Sequence, residues 1–354
     1  MEILKDNSLH EKELFELIAS GEAILLAGAG LSKIVGYPIW SELIKKLENA
    51  VREDIEDNGG DFDFRMDISD EDDLLYSQRL KDKLGLPRYS ALMHKEFDDR
   101  RCDESHVRLM ELPFRGVLTT NYDQTLETAL FKINNHPNNY IVIDKNTTNR
   151  EINKFFQALN FGFDGDKRIA HLHGIYNQAS SLVLSLNDYI EKYSLDNPKR
   201  SIWTLHKRIL WSLMATRRIV YIGFSMKDPF FQMMHQIVSE DLGNFGSKSH
   251  FMISRFSKDD DKEEYSTGEK SFANRIKRNY GIQTVFFDDD QGYDGLRRYI
   301  IKMSNDIKQL LGKKSNNEIM FSFEPKEEPV SGDSKINLEL KPVLQRNIDR
   351  IKGV

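Results

Sequence analysis

Short apolar runs alternate along this chain with longer amphipathic stretches of helical period, and this alternation is typical of α/β proteins. The segment Glu22–Ala27 is apolar almost throughout, as expected for a parallel strand that is covered on both faces. The same reasoning predicts seven further strands. They are Arg115–Thr119, Tyr140–Ile143, Ile169–Leu172, Leu182–Leu184, Arg218–Ile222, His250–Ile253 and Gln283–Phe287.

Apolar residues that recur with helical spacing predict the intervening helices. The helices predicted before the second strand are Leu9–Ser20, Trp40–Ile55, Glu71–Leu84, Arg88–Asp98 and Glu104–Leu112. Those predicted towards the end of the chain are Asp188–Tyr193, Ile202–Thr216, Phe230–Leu242, Phe272–Tyr280 and Tyr293–Leu311. The helical block between the first two strands is too long for one crossover, so we expect a small helical subdomain over roughly residues 41–114. Within it, the acidic segment Asp57–Asp73 is predicted to be a loop.

The character of the chain changes after Gly312, which ends the predicted folded domain at residues 1–312. Lys313–Val354 is polar, contains Pro325 and Pro329, and is predicted to be an arm that contacts another subunit or a partner; a solvated tail is the alternative. The apolar stretches are far shorter than the ~20 residues that span a bilayer. The first residues also differ from a signal peptide, so we expect a cytoplasmic protein.

Charge and cysteine content exclude several classes of function. The chain has 50 basic and 56 acidic side chains and a net charge of -6, so we expect neither direct nucleic-acid binding nor binding to a membrane surface. Cys102 is the single cysteine. One thiol excludes an internal disulfide, a CxxC redox pair and a zinc site built from several cysteines.

A glycine-rich turn, Gly28-Ala29-Gly30-Leu31-Ser32, follows the first strand directly. Glycines at such a position let backbone N–H groups approach a phosphate, because no Cβ stands in the way. The spacing matches neither GxGxxG nor a Walker motif, and a tight turn without a ligand is the alternative. The stiff aromatic run Gly36–Trp40 follows the turn closely.

Three further polar turns follow predicted strands, where ligands gather in open α/β sheets. Asn121 and Asp123 follow the second strand, with capping of the next helix as the alternative role. His171 and His173 end the strand Ile169–Leu172, are expected on one face of it, and favour acid–base chemistry or ligand positioning over metal binding. The run Gly223–Pro229 is a second candidate phosphate turn, with an ordinary βα loop as the alternative. Four turns at strand ends together predict a crevice for a dinucleotide.

The ordered motifs GAGLS, GYPIW, TTNYD, HLHG and GFSMKDP resemble the sirtuin superfamily (silent information regulator type), and within it a divergent bacterial branch. The resemblance implies a Rossmann-like parallel sheet with helices on both faces, a small helical subdomain and NAD as ligand. It also implies catalytic roles for Asn121, Asp123 and His173. The residues that would contact NAD are Gly28, Ala29, Gly30, Ser32, Pro38, Trp40, Thr120, Gly223, Phe224, Ser225 and Met226.

Two departures from the deacetylases of this superfamily refine the expectation. Ile175–Thr216 contains no cysteine, so the four-cysteine zinc module is missing, and Thr120 stands where those enzymes carry glutamine. Both agree with bacterial sirtuin-like proteins of anti-phage defence that consume NAD. The resemblance therefore implies an NAD glycohydrolase without zinc that works as a homo-oligomer or with a partner such as a HerA-type ATPase or a short Argonaute-like protein. A sensor that binds NAD or ADP-ribose, and a protein deacylase or ADP-ribosyltransferase, are the alternative functions.

Overall fold

The structure is a computed structural model that describes residues 2–57, 73–135, 140–144, 146–161, 169–194, 203–243, 250–256, 267–288 and 292–321. By its contacts the chain divides into two units, Met1–Leu311 and Gly312–Val354. The predicted loop Asp57–Asp73 lies almost wholly outside the described residues, as does the predicted arm after residue 321.

A parallel sheet organises the first unit, and it contains seven strands in the described residues. The strands are β1 (Ala23–Ala27), β2 (Gly116–Thr119), β3 (Tyr140–Val142), β4 (Ile169–His171), β5 (Arg218–Ile222), β6 (His250–Phe256) and β7 (Ile282–Asp288). Their order across the sheet is β3-β4-β2-β1-β5-β6-β7. The chain thus builds on both sides of β1, which makes the carboxyl end of β1 a topological switch point.

Helices cover the sheet, and they account for most of the remaining described residues. In the first half of the chain they are α1 (Glu2–Ala19), α2 (Ala29–Lys33), α3 (Trp40–Asp57), α4 (Asp73–Phe97), α5 (Glu104–Glu111) and α6 (Thr125–Asn134). In the second half they are α7 (Asn149–Phe161), α8 (Leu186–Tyr193), α9 (Leu205–Thr216), α10 (Pro229–Leu242), α11 (Thr267–Tyr280) and α12 (Tyr293–Phe321). The predicted α/β fold with a Rossmann-like parallel sheet is confirmed.

The core lies on both faces of the sheet because successive side chains of a strand point in opposite directions. In β1, Leu25 and Ala27 pack with apolar residues of α1, α5, α6 and α12. Ile24 and Leu26 pack instead with apolar residues of α7, α8, α9 and α10. A third apolar cluster joins α3 and α4 to Tyr122 and Ile175, so these two helices pack against the turns that follow β2 and β4.

One predicted strand and several predicted helix bounds differ from the structure. Leu182–Leu184 is not a strand: it follows a 3₁₀ turn at Ala179–Ser181 and leads directly into α8. The break predicted between the helices around Leu84 and Arg88 is confirmed, because Gly85, with a φ of 67°, leaves the helical conformation and divides α4 into two helical parts. The last helix, α12, continues past Gly312 to Phe321.

Candidate active site

The four predicted ligand turns follow β1, β2, β4 and β5, which are neighbours in the sheet. Ala27 is in register with Thr119 on one side and with Ile222 on the other, and Thr119 is in register with His171. These strands therefore end at the same level. The structure brings Gly28, Asn121, His173 and Gly223 to one edge of the sheet, as the dinucleotide crevice requires.

The turns after β1 and β5 lie in direct backbone contact. The N–H groups of Gly28 and Gly30 donate to the carbonyl oxygens of Ile222 and Gly223, each at 2.9 Å. A Cβ at position 28 would lie 2.5 Å from the carbonyl oxygen of Gly223, so the approach requires glycine there. Gly223 itself has a φ of 67°, which glycine adopts without strain. The two glycine amides are thus engaged within the protein.

Asn121 is held by both its side chain and its main chain. Its Nδ2 donates to the carbonyl oxygen of Gly28 at 3.1 Å and to Oγ of Ser32 at 2.8 Å. Its backbone N–H donates to Oγ1 of Thr119 at 3.0 Å. The buried Oδ1 of Asn121 has no hydrogen-bond partner in the described part of the chain. The fixed amide therefore presents an acceptor that is free for a ligand.

Asp123 lies two residues after Asn121 in the sequence and bonds to the start of the following helix. Its Oδ1 accepts a hydrogen bond of 2.9 Å from the backbone N–H of Thr125, the first residue of α6. Asp123 is buried, since only 4% of its surface is exposed to solvent. Asp123 therefore binds the first N–H group of α6 from the position before the N-cap residue, Gln124, whereas the side-chain donors of Asn121 bond to the glycine turn.

His173 lies in an aromatic pocket just beyond β4. The ring centroids of Tyr189 and Tyr193 are each 5.7 Å from that of His173, and the ring of Phe231 lies beyond them at 6.3 Å. Nε2 of His173 is 3.3 Å from Oδ2 of Asp228, without the alignment of a hydrogen bond. Burial lowers the pKa of His173 to about 3. The imidazole is consequently neutral at physiological pH and has a lone pair to accept a proton.

His171 does not share the environment of His173, and the expectation of one common face is wrong. The strand ends at His171, and Gly174 turns the chain with a φ of 81°, so the period of two does not continue. His171 is fully buried and contacts Oε1 of Glu127 through Nε2 at 2.6 Å. Its Nδ1 lies 3.0 Å from the carbonyl oxygen of Asn121. Burial opposes protonation, but the carboxylate of Glu127 outweighs it and the pKa of His171 is raised.

The segment between α2 and α3, which carries Pro38 and leads into Trp40, is held by hydrogen bonds at both ends. Lys33 Nζ donates to Oε2 of Glu42 at 2.6 Å, and the same oxygen accepts from the backbone N–H of Ile39 at 3.1 Å. Tyr37 is fully buried in this segment. Pro38 is buried and Trp40 half-buried. Both therefore lie in a packed segment beside the glycine turn.

The remaining predicted contacts lie on the turns after β2 and β5. The backbone N–H of Thr120 donates to the carbonyl oxygen of Ala27 at 3.2 Å. After β5, Ser225 is exposed, Phe224 is half-buried, and Met226 is buried with a positive φ of 53°. Among the predicted contacts of this turn, Ser225 is thus the exposed one.

Two acidic residues at the site were not assigned a role from the sequence. Asp228 stands in the quoted GFSMKDP motif, and its position before Pro229 marks it as the residue that caps α10. Glu127 lies on α6, a helix that the apolar pattern did not predict, so no local signal pointed to it. Among the described residues, no group of three or more His, Cys, Asp and Glu side chains is arranged to hold a metal ion. No described helix is long and apolar enough to cross a membrane.

Comparison with known protein families finds one whose model matches part of this chain. Residues 115–285, just under half of the chain, match the SIR2-like domain family. The matched segment contains β2, β4 and β5 together with Asn121, His173 and Asp228. The similarity to the SIR2-like domain therefore covers the turns after β2, β4 and β5, whereas the glycine turn Gly28–Ser32 after β1 precedes the matched segment.

Curated relatives carry names that refer to NAD hydrolysis and to defence. The NAD(+) hydrolase ThsA of Enterococcus faecium is 28% identical over 228 residues, which cover 63% of this chain and 41% of that protein. ThsA of Cytobacillus dafuensis is 26% identical over 255 residues, which cover 71% of this chain and 44% of that protein. The defense-associated sirtuin 2 of Bacillus subtilis is 23% identical over 64% of this chain and 20% of its own. The chain spans about half the length of the ThsA proteins that it matches. It spans 20% of the length of the defense-associated sirtuin 2.

A structural match covers 83% of this chain and 99% of a SIR2 crystal structure in complex with an inhibitor, 2'-O-acetyl-ADP-ribose and a deacetylated peptide. The sequence identity is 12% and the TM-score is 0.32. The α/β fold class rests on the parallel sheet itself.

Proposed function

We propose that this chain is an NAD glycohydrolase that cleaves NAD to nicotinamide and ADP-ribose. The observation that carries the proposal is the buried Oδ1 of Asn121, an acceptor without a partner among the described residues at the switch point of the sheet. A buried polar atom without a partner is rare in folded proteins and suggests that a ligand completes it. The names of the ThsA relatives support NAD as that ligand.

The bound dinucleotide would extend along the edge formed by β4, β2, β1 and β5. We expect its phosphates at the turn of Gly28, Ala29, Gly30 and Ser32, and its adenosine half beside Gly223, Phe224, Ser225 and Met226. The N–H groups of Gly28 and Gly30 already bond to the β5 turn. Ala29 and Ser32 would therefore supply the polar contacts to the phosphates. Pro38, Trp40 and Thr120 would border the nicotinamide ribose.

The reaction breaks the bond between the pyridinium nitrogen and C1′ of the ribose. Nicotinamide leaves as a neutral molecule with the bonding electron pair, and positive charge develops on the ribose. A water oxygen then bonds to C1′, and the proton that it loses passes to the neutral imidazole of His173 and on to solvent. Asn121 Oδ1 would accept a hydrogen bond from a ribose hydroxyl or the water, and Asp123 would add negative charge near the developing cation.

In the cell, the activity would deplete NAD as an anti-phage defence. The names of the relatives, NAD(+) hydrolase and defense-associated sirtuin, support this role. Because free NAD hydrolysis is toxic to the host, we expect gating by homo-oligomerisation or by a partner such as a HerA-type ATPase. Residues 1–312, with a helical insertion over roughly 41–114, would form the NAD-hydrolysing domain, and residues 313–354 would form the arm for assembly.

The test is loss of NAD by the full chain and by two variants, Asn121→Ala and His173→Ala. We expect nicotinamide release by the wild type and at least a 100-fold lower rate in both variants, in line with the loss of a positioned acid–base group. His94→Ala, at an exposed histidine of α4, and Asn305→Ala on α12 are the matched controls and should keep full activity. Full turnover by either site variant would contradict its assigned role. Turnover only with an acyl-lysine peptide, or NAD binding without turnover, would contradict the proposed reaction.

A further inference from the structure

Asp228 joins three elements at the candidate site. It is the N-cap of α10, and its Oδ1 accepts hydrogen bonds from the backbone N–H groups of Phe230 at 2.9 Å and Phe231 at 3.3 Å. Its Oδ2 accepts a hydrogen bond of 2.7 Å from the hydroxyl of Tyr189 on α8. The same Oδ2 lies 3.3 Å from Nε2 of His173. The carboxylate therefore has a fixed position before any contact with the imidazole is considered.

We propose that Asp228 is a positioning residue that holds the imidazole of His173, and fixes its tautomer, for proton transfer at the ribose. The inference rests on the proposed function, because His173 is the base of that reaction. Asp228 acts through His173 and does not itself touch the substrate.

Geometry carries this assignment. Aromatic rings of Tyr189, Tyr193 and Phe231 surround His173 and supply shape but no acceptor for its Nε2. The polar atom that the structure places beside Nε2 is Oδ2 of Asp228. A small rotation of the ring would align the two atoms, and hydrogen bonds of catalytic groups commonly tighten when substrate binds. Asp228 can thus hold the imidazole ring while it remains the N-cap residue of α10.

The contact also decides which nitrogen reacts. A carboxylate accepts only, so Nε2 must carry the proton and Nδ1 has the lone pair. When Nδ1 takes the proton of the attacking water, the imidazolium that forms lies against the negative charge of Asp228. A charged partner of this kind stabilises the protonated histidine and keeps the ring oriented.

The ionisation of Asp228 should be visible in the dependence of NAD hydrolysis on pH, because the negative charge of Asp228 supports His173. Burial raises the pKa of Asp228 to about 6, and Tyr189 on α8 partly offsets this by its hydrogen bond. The other titratable groups around His173 are Lys192 and Tyr193 on α8 and His206 on α9. As the pH falls through about 6, Asp228 becomes protonated and loses the charge that supports His173. We therefore expect activity to fall on the acid side in step with this titration.

Two substitutions separate the proposed role from the helix cap. Asp228→Asn and Asp228→Ser both retain an N-cap residue, so α10 should remain capped, but neither has a negative charge beside His173. Asp241→Asn is the matched control, since it removes an exposed carboxylate from the last turn of the same helix.

We expect kcat for NAD to fall by about 100- to 10,000-fold in both Asp228 variants, with KM changed less than about threefold. The acid limb near pH 6 should disappear from the residual activity, while Asp241→Asn behaves as the wild type. A merely structural role would lower the melting temperature and activity together and leave the pH profile unchanged. Either that pattern, or a kcat for Asp228→Asn above one third of the wild-type value, would overturn the inference.

A second readout does not depend on NAD turnover. The ¹⁵N chemical shifts of His173, identified by their loss in His173→Gln, report which ring nitrogen carries the proton. We expect the Nε2–H tautomer in the wild type and its loss in Asp228→Asn; an Nδ1–H tautomer in the wild type would overturn the inference. If the wild-type chain does not cleave NAD, the proposed function fails, and this spectrum still decides the pairing of Asp228 with His173.

Discussion

The buried pair Glu127–His171 makes a prediction about stability that can be worked out in detail. His171 is fully buried and Glu127 has 11% of its side chain exposed, and their atoms approach to 2.6 Å. His171 also contacts the carbonyl oxygen of Asn121 at 3.0 Å, which a protonated ring does by donating from Nδ1. Glu127→Gln removes the charge but keeps the size of the side chain.

The cost of this substitution depends on pH. Because the pKa of folded His171 is raised above its unfolded value near 6.5, the pair contributes stability that is complete below pH 6.5 and is lost as the pH rises through the folded pKa. At pH 6 the variant lacks the carboxylate that offsets burial of the imidazolium, so folding must either release the proton of His171 or bury its charge without a partner, and we expect a loss of about 3 kcal/mol in the free energy of unfolding. As the pH rises towards 9 the ring loses its proton more readily, and the amide can still bond to a neutral imidazole, so the loss should fall towards about 1 kcal/mol.

Urea unfolding of the wild type and the variant at pH 6 and pH 9 measures both values. Glu11→Gln is the matched control, because Glu11 pairs with Lys302 at 3.2 Å near the surface. Exposed pairs contribute about 0.2–1 kcal/mol, so this control should lose little and show no comparable pH dependence. A Glu127→Gln loss that is equal at both pH values, or greater at pH 9, would refute the reasoning.

Two further predictions concern the glycine turn and the end of the chain. Gly28→Ala places a Cβ 2.5 Å from the carbonyl oxygen of Gly223, so the two turns must separate at a cost of about 1–3 kcal/mol in the free energy of unfolding. We expect a lower melting temperature together with a higher KM for NAD. Wild-type values of both quantities would contradict the close approach of the turns. Ending the chain at Phe321 keeps α12 and removes residues 322–354, most of the proposed arm for assembly. Light scattering should then report a smaller assembly than for the full chain; an unchanged mass would assign assembly to other residues.

The sheet and the four ligand turns could be predicted from the sequence because buried parallel strands are continuous apolar runs. Ala23–Ala27 is fully buried along its length, and the polar residues that follow it mark its end. The same rule failed at Leu182–Leu184, where an apolar run is buried outside the sheet. Its Val183 receives a hydrogen bond of 2.7 Å from Tyr122 and donates one of 2.9 Å to His173, so local contacts replace a strand ladder.

The polar contacts between elements around the site could not be predicted. Glu127 and His171 are 44 positions apart in the sequence, and Tyr189 and Asp228 are 39 apart. Such pairs depend on how α6, α8 and α10 pack against the ends of β4 and β5. Periodicity describes one element at a time and carries no information about which polar side chains two elements bring together.

The central claim is that this chain hydrolyses NAD, and product analysis tests it most directly. The full chain is incubated with NAD alone, without any peptide, and nicotinamide and ADP-ribose are followed by chromatography. We expect both products in equal amounts, formed at least 100-fold more slowly by Asn121→Ala and His173→Ala. Stable NAD in the presence of the folded wild-type chain, or nicotinamide released without ADP-ribose, would contradict the claim.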